Sequence, residues 1–157
     1  MILWIDPGVR KLWYALIKAD LSIVDSGILL LEKKSPTRMD QFERMMEIQK
    51  YFTTLLKKYA IKTMCMEKLF FTKFNQNNAE FVYGIRAILI TLCMQYNIAI
   101  KEFTPIELKK FITGNGKAEK KLVQNCIMKI YNLKEFPEFN DAADALALAY
   151  IASKMKN

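Results

Sequence analysis

The chain opens on MILWIDPG, in which an unbroken apolar run drives into Asp6 and then into a Pro-Gly turn. An apolar run without alternation reads as a strand covered on both faces, because a strand with one wet face alternates polar and apolar positions. A sheet covered twice needs helices on either side. The pattern recurs at IKTMCME, whose apolar stretch ends on a second acid, Glu67. A strand tip is where a fold can aim a charge into solvent or onto a metal. The central question is therefore whether these two acids meet.

The first third of the chain reads as three strands. ILWI is followed after DPGVRK by LWYALIK, and after KADLS by IVDSGILLL. Connections this short imply an antiparallel meander. From SPTRMDQFERMMEIQKYFTTLLKKYA the period becomes helical, with an apolar stripe of Met39, Phe42, Met45, Met46, Ile48, Phe52, Leu55 and Leu56 and with Pro36 and Thr37 at its start. IKTMCME is a fourth strand. NQNNAEFVYGIRAILITLCMQYN is a helix, apolar nearly all round in its later turns and so expected to be buried. IAIKEF is a fifth strand and TPIELKKFI a short helix. The turn TGNGKA leads to a helix EKKLVQNCIMKIYN, and DAADALALAYIASKM closes the chain as a last helix with acids at its start, where the helix dipole favours them. Neither an internal repeat nor a linker interrupts residues 1–157, so a single domain is expected.

The expected fold is thus α/β: a mixed five-stranded sheet of three antiparallel meander strands followed by parallel strands, with helices on both faces. Strands one, four and five are expected to be parallel and central, because helices cross between them. In such sheets a site lies near the carboxyl ends of the strands. Asp6 and Glu67 both lie at that end, and they can meet if their strands are neighbours.

Composition narrows the chemistry. The sequence has no histidine, which removes Ser-His-Asp and Cys-His catalysis. Cys65, Cys93 and Cys126 sit inside apolar stretches without zinc-ligand spacing, so they read as buried free thiols. A general base must then be a carboxylate, a lysine or a metal-activated water. Net charge is +8, which suits a polyanionic partner such as nucleic acid. No stretch approaches the roughly 18 consecutive apolar residues of a membrane span, and the start lacks the basic region of a signal peptide. A cytoplasmic location without membrane association is expected.

Asp141 and Asp144 lie three residues apart on the closing helix and so share one of its faces. Each acid has an ordinary structural use: Asp6 as a turn residue, Glu67 as a strand-end surface acid, Asp141 as a helix cap. Jointly, the topology lets four carboxylates converge. Such a cluster repels itself unless it binds one or two Mg²⁺ ions, which prefer oxygen donors. Two ions about 3.5–4 Å apart clamp the attacking and leaving oxygens of a phosphodiester.

At this point the sequence resembles the RuvC family of Holliday junction resolvases. WIDPG, CMEKLFF, NGKAEK and DAADALALA match the family's blocks in order and at suitable spacing, over almost the whole chain. The resemblance implies an RNase H-like fold, a homodimer, and Mg²⁺- or Mn²⁺-dependent paired nicks across four-way DNA junctions. Branch-migration helicase subunits are implied as partners. By position, Asp6, Glu67, Asp141 and Asp144 are the metal-binding and catalytic acids. Lys109 and Lys120 match catalytic lysines near the scissile phosphate. Phe70, with Phe71 beside it, matches an aromatic that stacks on a base at the opened junction centre. Arg86 matches a family arginine and is expected, with Lys110, Lys117 and Lys121, at the DNA. Two positions depart from the pattern: Trp13 and Ala87 stand where the family usually has glycine. These departures bear on sequence preference and dimer geometry more than on chemistry.

Other readings remain open at this level. A diverged, phage-like nuclease would cut branched DNA with relaxed specificity. A non-catalytic junction-binding protein would keep the basic surface but has little use for four placed acids. A nuclease for RNA–DNA hybrids would share the acids. An actin-like ATPase needs two large lobes, and the chain supplies one.

Overall fold

The structure is a computed structural model that describes residues 1–8, 10–20, 22–32, 35, 37–69 and 79–132. Its elements are β1 (Ile2–Pro7), β2 (Lys11–Ile17), β3 (Ile23–Leu30), α1 (Arg38–Lys58), β4 (Thr63–Glu67), α2 (Ala79–Gln95), β5 (Ala99–Phe103), α3 (Pro105–Thr113) and α4 (Lys120–Ile130). The five strands form one sheet in the order β3-β2-β1-β4-β5. The first three strands pair antiparallel, whereas β1–β4 and β4–β5 pair parallel, as the lengths of their connections require. β1 is central and β4 its neighbour. β5, expected in the centre, instead takes an edge of the five-stranded sheet, because β4 occupies the place beside β1.

Side-chain alternation divides the core into two layers. Leu3, Ile5, Met64 and Met66 face α1 and α2, where they pack with Ile48, Phe52, Phe81, Ile85 and Leu89. Trp4, Cys65 and Phe103 point to the opposite face and pack with Leu108, Val123 and Ile127 of α3 and α4. Odd positions of β1 thus serve one layer and even positions the other. This is why ILWI has no polar residue.

α1 departs from its expected stripe. Ile48, Phe52, Leu55 and Leu56 are buried, yet Met39, Phe42 and Met46 in the first turns are exposed. Asp40 and Arg44 take the inward positions instead. The Arg44 Nε lies 2.9 Å from the Asp40 Oδ2, and the Arg44 guanidinium lies 4.4 Å from the centre of the Phe81 ring. The Asp40 Oδ1 accepts from the Ser35 backbone N–H at 3.1 Å. A buried ion pair within α1 therefore faces α2, with the Phe81 ring as its contact there, where methionine packing was expected. The late turns of α2 also keep an open side: Leu92 and Cys93 are buried, whereas Ile90 and Met94 are exposed. Gly84 of α2 faces α1, where a Cβ would meet the tip of the Met45 side chain.

Cys65 and Cys93 are buried free thiols as expected, while Cys126 is only half-buried. Among the described residues no helix is long and apolar enough to cross a membrane. The closing helix expected from residue 141 lies outside the described residues, as does Pro36.

Candidate active site

The tip of β1 is shaped by its turn. The Gly8 N–H donates to the Asp6 carbonyl at 3.0 Å, folding the chain back immediately after the acid. A Cβ at Gly8 would lie 2.2 Å from the Lys11 carbonyl oxygen, so no side chain fits there. Pro7 and Gly8 thus end the strand while leaving Asp6 as the last residue of its face.

β1 and β4 run parallel, with Ile2 beside Thr63 and Ile5 beside Met66. Asp6 and Glu67 are the next residues on each strand. They stand side by side at the carboxyl end of the sheet, with backbones at the usual strand separation of about 4.8 Å. Both follow the parity of Trp4 and Cys65, so they share the face covered by α3 and α4. The two acids therefore share one end and one face of the sheet, and each is half-buried.

The β4 tip is held from the opposite face by Arg86 of α2. Its Nη1 donates to the Glu67 carbonyl at 2.8 Å, and its Nη2 pairs with the Glu102 carboxylate of β5. The Lys68 N–H donates to the Phe103 carbonyl at 2.7 Å, extending the β4–β5 pairing past Glu67. Burial lowers the Arg86 pKa from its ordinary value, against which the hydroxyl-bearing ring of Tyr83 and the Glu67 carboxylate raise it. Arg86 was expected at the DNA, but it is 6% exposed and committed to these two strand tips. That expectation is corrected: the guanidinium positions the strands rather than facing outward. An arginine inside the apolar helix segment FVYGIRAILI carries a signal of this, since a buried charge requires a buried partner. The sequence does not say which partner.

The lysines ride on the helices that cover the acid-bearing face. α3 begins with a reciprocal cap in which the Glu107 N–H donates to the Thr104 Oγ1 at 3.1 Å and the Thr104 N–H to the Glu107 Oε2 at 2.8 Å. It ends on Gly114 with a φ of 77°. In the turn beyond, the Asn115 Oδ1 accepts from the Lys117 N–H at 2.9 Å. Lys109 is half-buried, whereas Lys110, Lys117, Lys120 and Lys121 are exposed. Phe70, Phe71, Asp141 and Asp144 lie outside the described residues.

Among the described residues no group of three or more histidine, cysteine or acidic side chains gathers as a metal site. The donor chemistry that is present nonetheless fits a hard divalent cation. Asp6 and Glu67 offer only carboxylate oxygens, and adjacent carboxylates repel unless a cation lies between them. The Cys65 thiol, two residues back on the same face, is buried, and burial pushes its pKa up to about 12.

A sheet in this order, with helices on both faces and acids on the adjacent tips of its two inner parallel strands, is an RNase H-like α/β domain. Comparison with known proteins gives the family. A family model described as crossover junction endodeoxyribonuclease RuvC matches residues 2–152, and the chain belongs to that family. It is 38% identical over 150 residues to the crossover junction endodeoxyribonuclease RuvC of Fusobacterium nucleatum subsp. nucleatum, covering 94% of this chain and 76% of that protein. It is 34% identical over 160 residues to the protein of the same name from Pseudothermotoga lettingae, covering 100% of this chain and 96% of the other. The fold matches the structure described as T. thermophilus RuvC in complex with Holliday junction substrate, with a TM-score of 0.78 at 20% identity over 95% of this chain and 90% of that one.

Proposed function

We infer that this chain is a Holliday junction resolvase, an endonuclease that cuts four-way DNA junctions in recombination and repair. One combination carries the reading: family membership across residues 2–152 together with Asp6 and Glu67 side by side at the strand tips. In this reading Asp6, Glu67, Asp141 and Asp144 hold Mg²⁺ or Mn²⁺, two ions per site. When bound, the metal supplies a water of lowered pKa and neutralises charge on the leaving oxygen.

The chain's own residues do the remaining work. Asp6 and Glu67 sit on inner strands, so their backbones are fixed by the sheet and the substrate phosphate is bound against a rigid floor. Arg86 keeps the β4 tip in place through the Glu67 carbonyl. Lys109 and Lys120 neutralise negative charge developing on the phosphoryl oxygens. Lys110, Lys117 and Lys121 take flanking phosphates, and Phe70 and Phe71 supply a stacking surface at the opened junction centre. Water attacks in line at phosphorus and the bond to O3′ breaks, leaving 3′-hydroxyl and 5′-phosphate ends.

Paired nicks need two sites, and the exposed apolar side chains support a homodimer. Met39, Phe42 and Met46 of α1 and Tyr83, Ile90 and Met94 of α2 form exposed stripes on the layer opposite α3 and α4. The buried Asp40–Arg44 pair turns the first three of these outward. A cytoplasmic location and work alongside branch-migration helicase subunits follow from the same reading.

The test is cleavage of labelled four-way junctions, matched linear duplex and RNA–DNA hybrid, each with Mg²⁺ or with EDTA. Symmetric, metal-dependent nicks confined to the four-way junction are expected. Equal cutting of three-way junctions and flapped duplexes, added as further substrates, would indicate a nuclease of relaxed specificity. Binding without cutting in any metal would reduce the chain to a junction-binding protein.

A further inference from the structure

One row of residues crosses the sheet at the level of the two acids. Ile28 pairs with Trp13, Trp13 with Asp6, and Glu67 with Phe103, while Asp6 and Glu67 each follow the last β1–β4 pair, Ile5 and Met66. Directly paired residues project to the same face, with Cβ atoms about 4.5–5.5 Å apart. The acids are therefore flanked by an aromatic residue on each side within the row. The two flanks differ. Phe103 is buried beneath α3 and α4, whereas Trp13 is only half-buried at the margin of the same cluster.

On its own strand, too, Trp13 is less covered than the residues deeper in the sheet. Ala15 and Ile17, which share its face of β2, are buried, and burial fades only at the tip. Lys11, two residues outward on that face, is exposed. The β2 tip thus sets a large π surface beside Asp6 and a cation just beyond it. That pairing suits a nucleotide, whose base or sugar lies on the ring while its phosphate meets the ammonium group.

We propose that Trp13 is a substrate-contacting, specificity-determining residue, whose indole stands beside Asp6 and stacks on the nucleotide next to the scissile phosphate, with Lys11 gripping the adjoining phosphate. The proposal rests on the nuclease reading above and adds to it a contact from β2. A ring at this place does two things. It limits how a phosphate approaches Asp6, and it favours nucleotides whose base unstacks readily from the junction centre. Stacking strength then contributes to the choice of cleavage site.

The chain has two tryptophans, which makes the contact directly observable. Trp4 is 1% exposed beneath α3 and α4 and serves as an internal background. Emission is followed while a four-way junction is titrated into the full chain in EDTA, where binding is separated from cutting. Quenching that persists in Trp4→Phe and disappears in Trp13→Phe is expected. In Mg²⁺, Trp13→Leu keeps apolar bulk for the core while removing the π surface. It is expected to raise the junction KM about tenfold, the scale of one lost base stack, and to flatten the preference among junction sequences. Trp13→Phe should restore most of that loss, which a merely space-filling role would not require. Unchanged Trp13 emission on a junction that binds and is cut would overturn the contact while leaving the resolvase reading intact. Failure of the wild-type chain to bind any junction would instead remove the nuclease reading and this contact with it.

Discussion

The Arg86 guanidinium, on a helix of one layer, donates to the carbonyl of Glu67, whose carboxylate serves the other layer, at 2.8 Å. The same guanidinium pairs with Glu102 on the neighbouring strand. One buried cation thus ties together the tips of β4 and β5. Arg86→Ala is expected to cost about 2 kcal/mol, the scale of hydrogen bonds made by a charged group, with no fuller credit because Glu102 is partly solvated. Urea unfolding measures that loss. Metal affinity, followed by calorimetric titration of Mn²⁺, should fall as well, because Glu67 loses its anchor. Arg86→Lys restores one donor and should recover part of both.

Asp6 is central to the proposed chemistry, and its neutral isostere separates binding from cutting. Asp6→Asn should bind four-way junctions with near wild-type affinity and lose at least about a hundredfold in cleavage, the scale of losing one electrostatic partner of the transition state. Gel-shift and single-turnover cleavage assays on the same junction measure both. Undiminished cutting would remove Asp6 from the site.

The Asp40–Arg44 pair is buried on both sides, with side chains 2% and 7% exposed. Removing one partner strands a buried charge, so Asp40→Ala should destabilise the fold by about 3–5 kcal/mol. Replacing both residues with apolar ones of similar volume should recover most of the loss, because the desolvation cost disappears with the charges. Thermal unfolding of the single and double variants decides this. A single-variant cost well under 1 kcal/mol would mean that the pair is solvated.

Alkaline stability tests the buried thiol of α2. Burial pushes the Cys93 thiol from its ordinary 9.0 up to about 11. The folded chain therefore keeps a proton that the unfolded chain releases in that window. The associated stability is full below pH 9, falls as pH rises toward 11, and is gone above it. Tyr14, whose pKa is also raised by burial and by the Tyr51 hydroxyl, contributes in the same direction above its ordinary 10.0. Cys93→Ala should lessen the fall between pH 9 and 11 but leave the parts due to Cys65, whose buried thiol is pushed up to about 12, and to Tyr14, as read from urea midpoints across that range.

Local pattern made much of this fold legible. An apolar run in ILWI and another in MCM required a sheet covered twice, and short connections in the first third required a meander. Those features depend on residues near one another in the chain, and the helical periods of α1 to α4 do too. Asp6 at a strand tip follows from the Pro-Gly turn, since Gly8 alone fits against the Lys11 carbonyl. The absence of histidine and the basic charge bounded the chemistry before any fold was known.

Other features depended on which elements came to lie together. β5 went to an edge because β4 holds the place beside β1. The register Ile5–Met66 made neighbours of Asp6 and Glu67, although sixty residues separate them in the chain. α1 buried Asp40 and Arg44 and exposed Met39, Phe42 and Met46, against its own hydrophobic pattern, because Phe81 of α2 supplied a ring for the guanidinium. Arg86 found Glu67 and Glu102 only once α2 crossed the sheet. Hydrophobic period reports which residues favour burial. Which ones are buried depends on partners distant in sequence, and those partners exist only after the chain has folded.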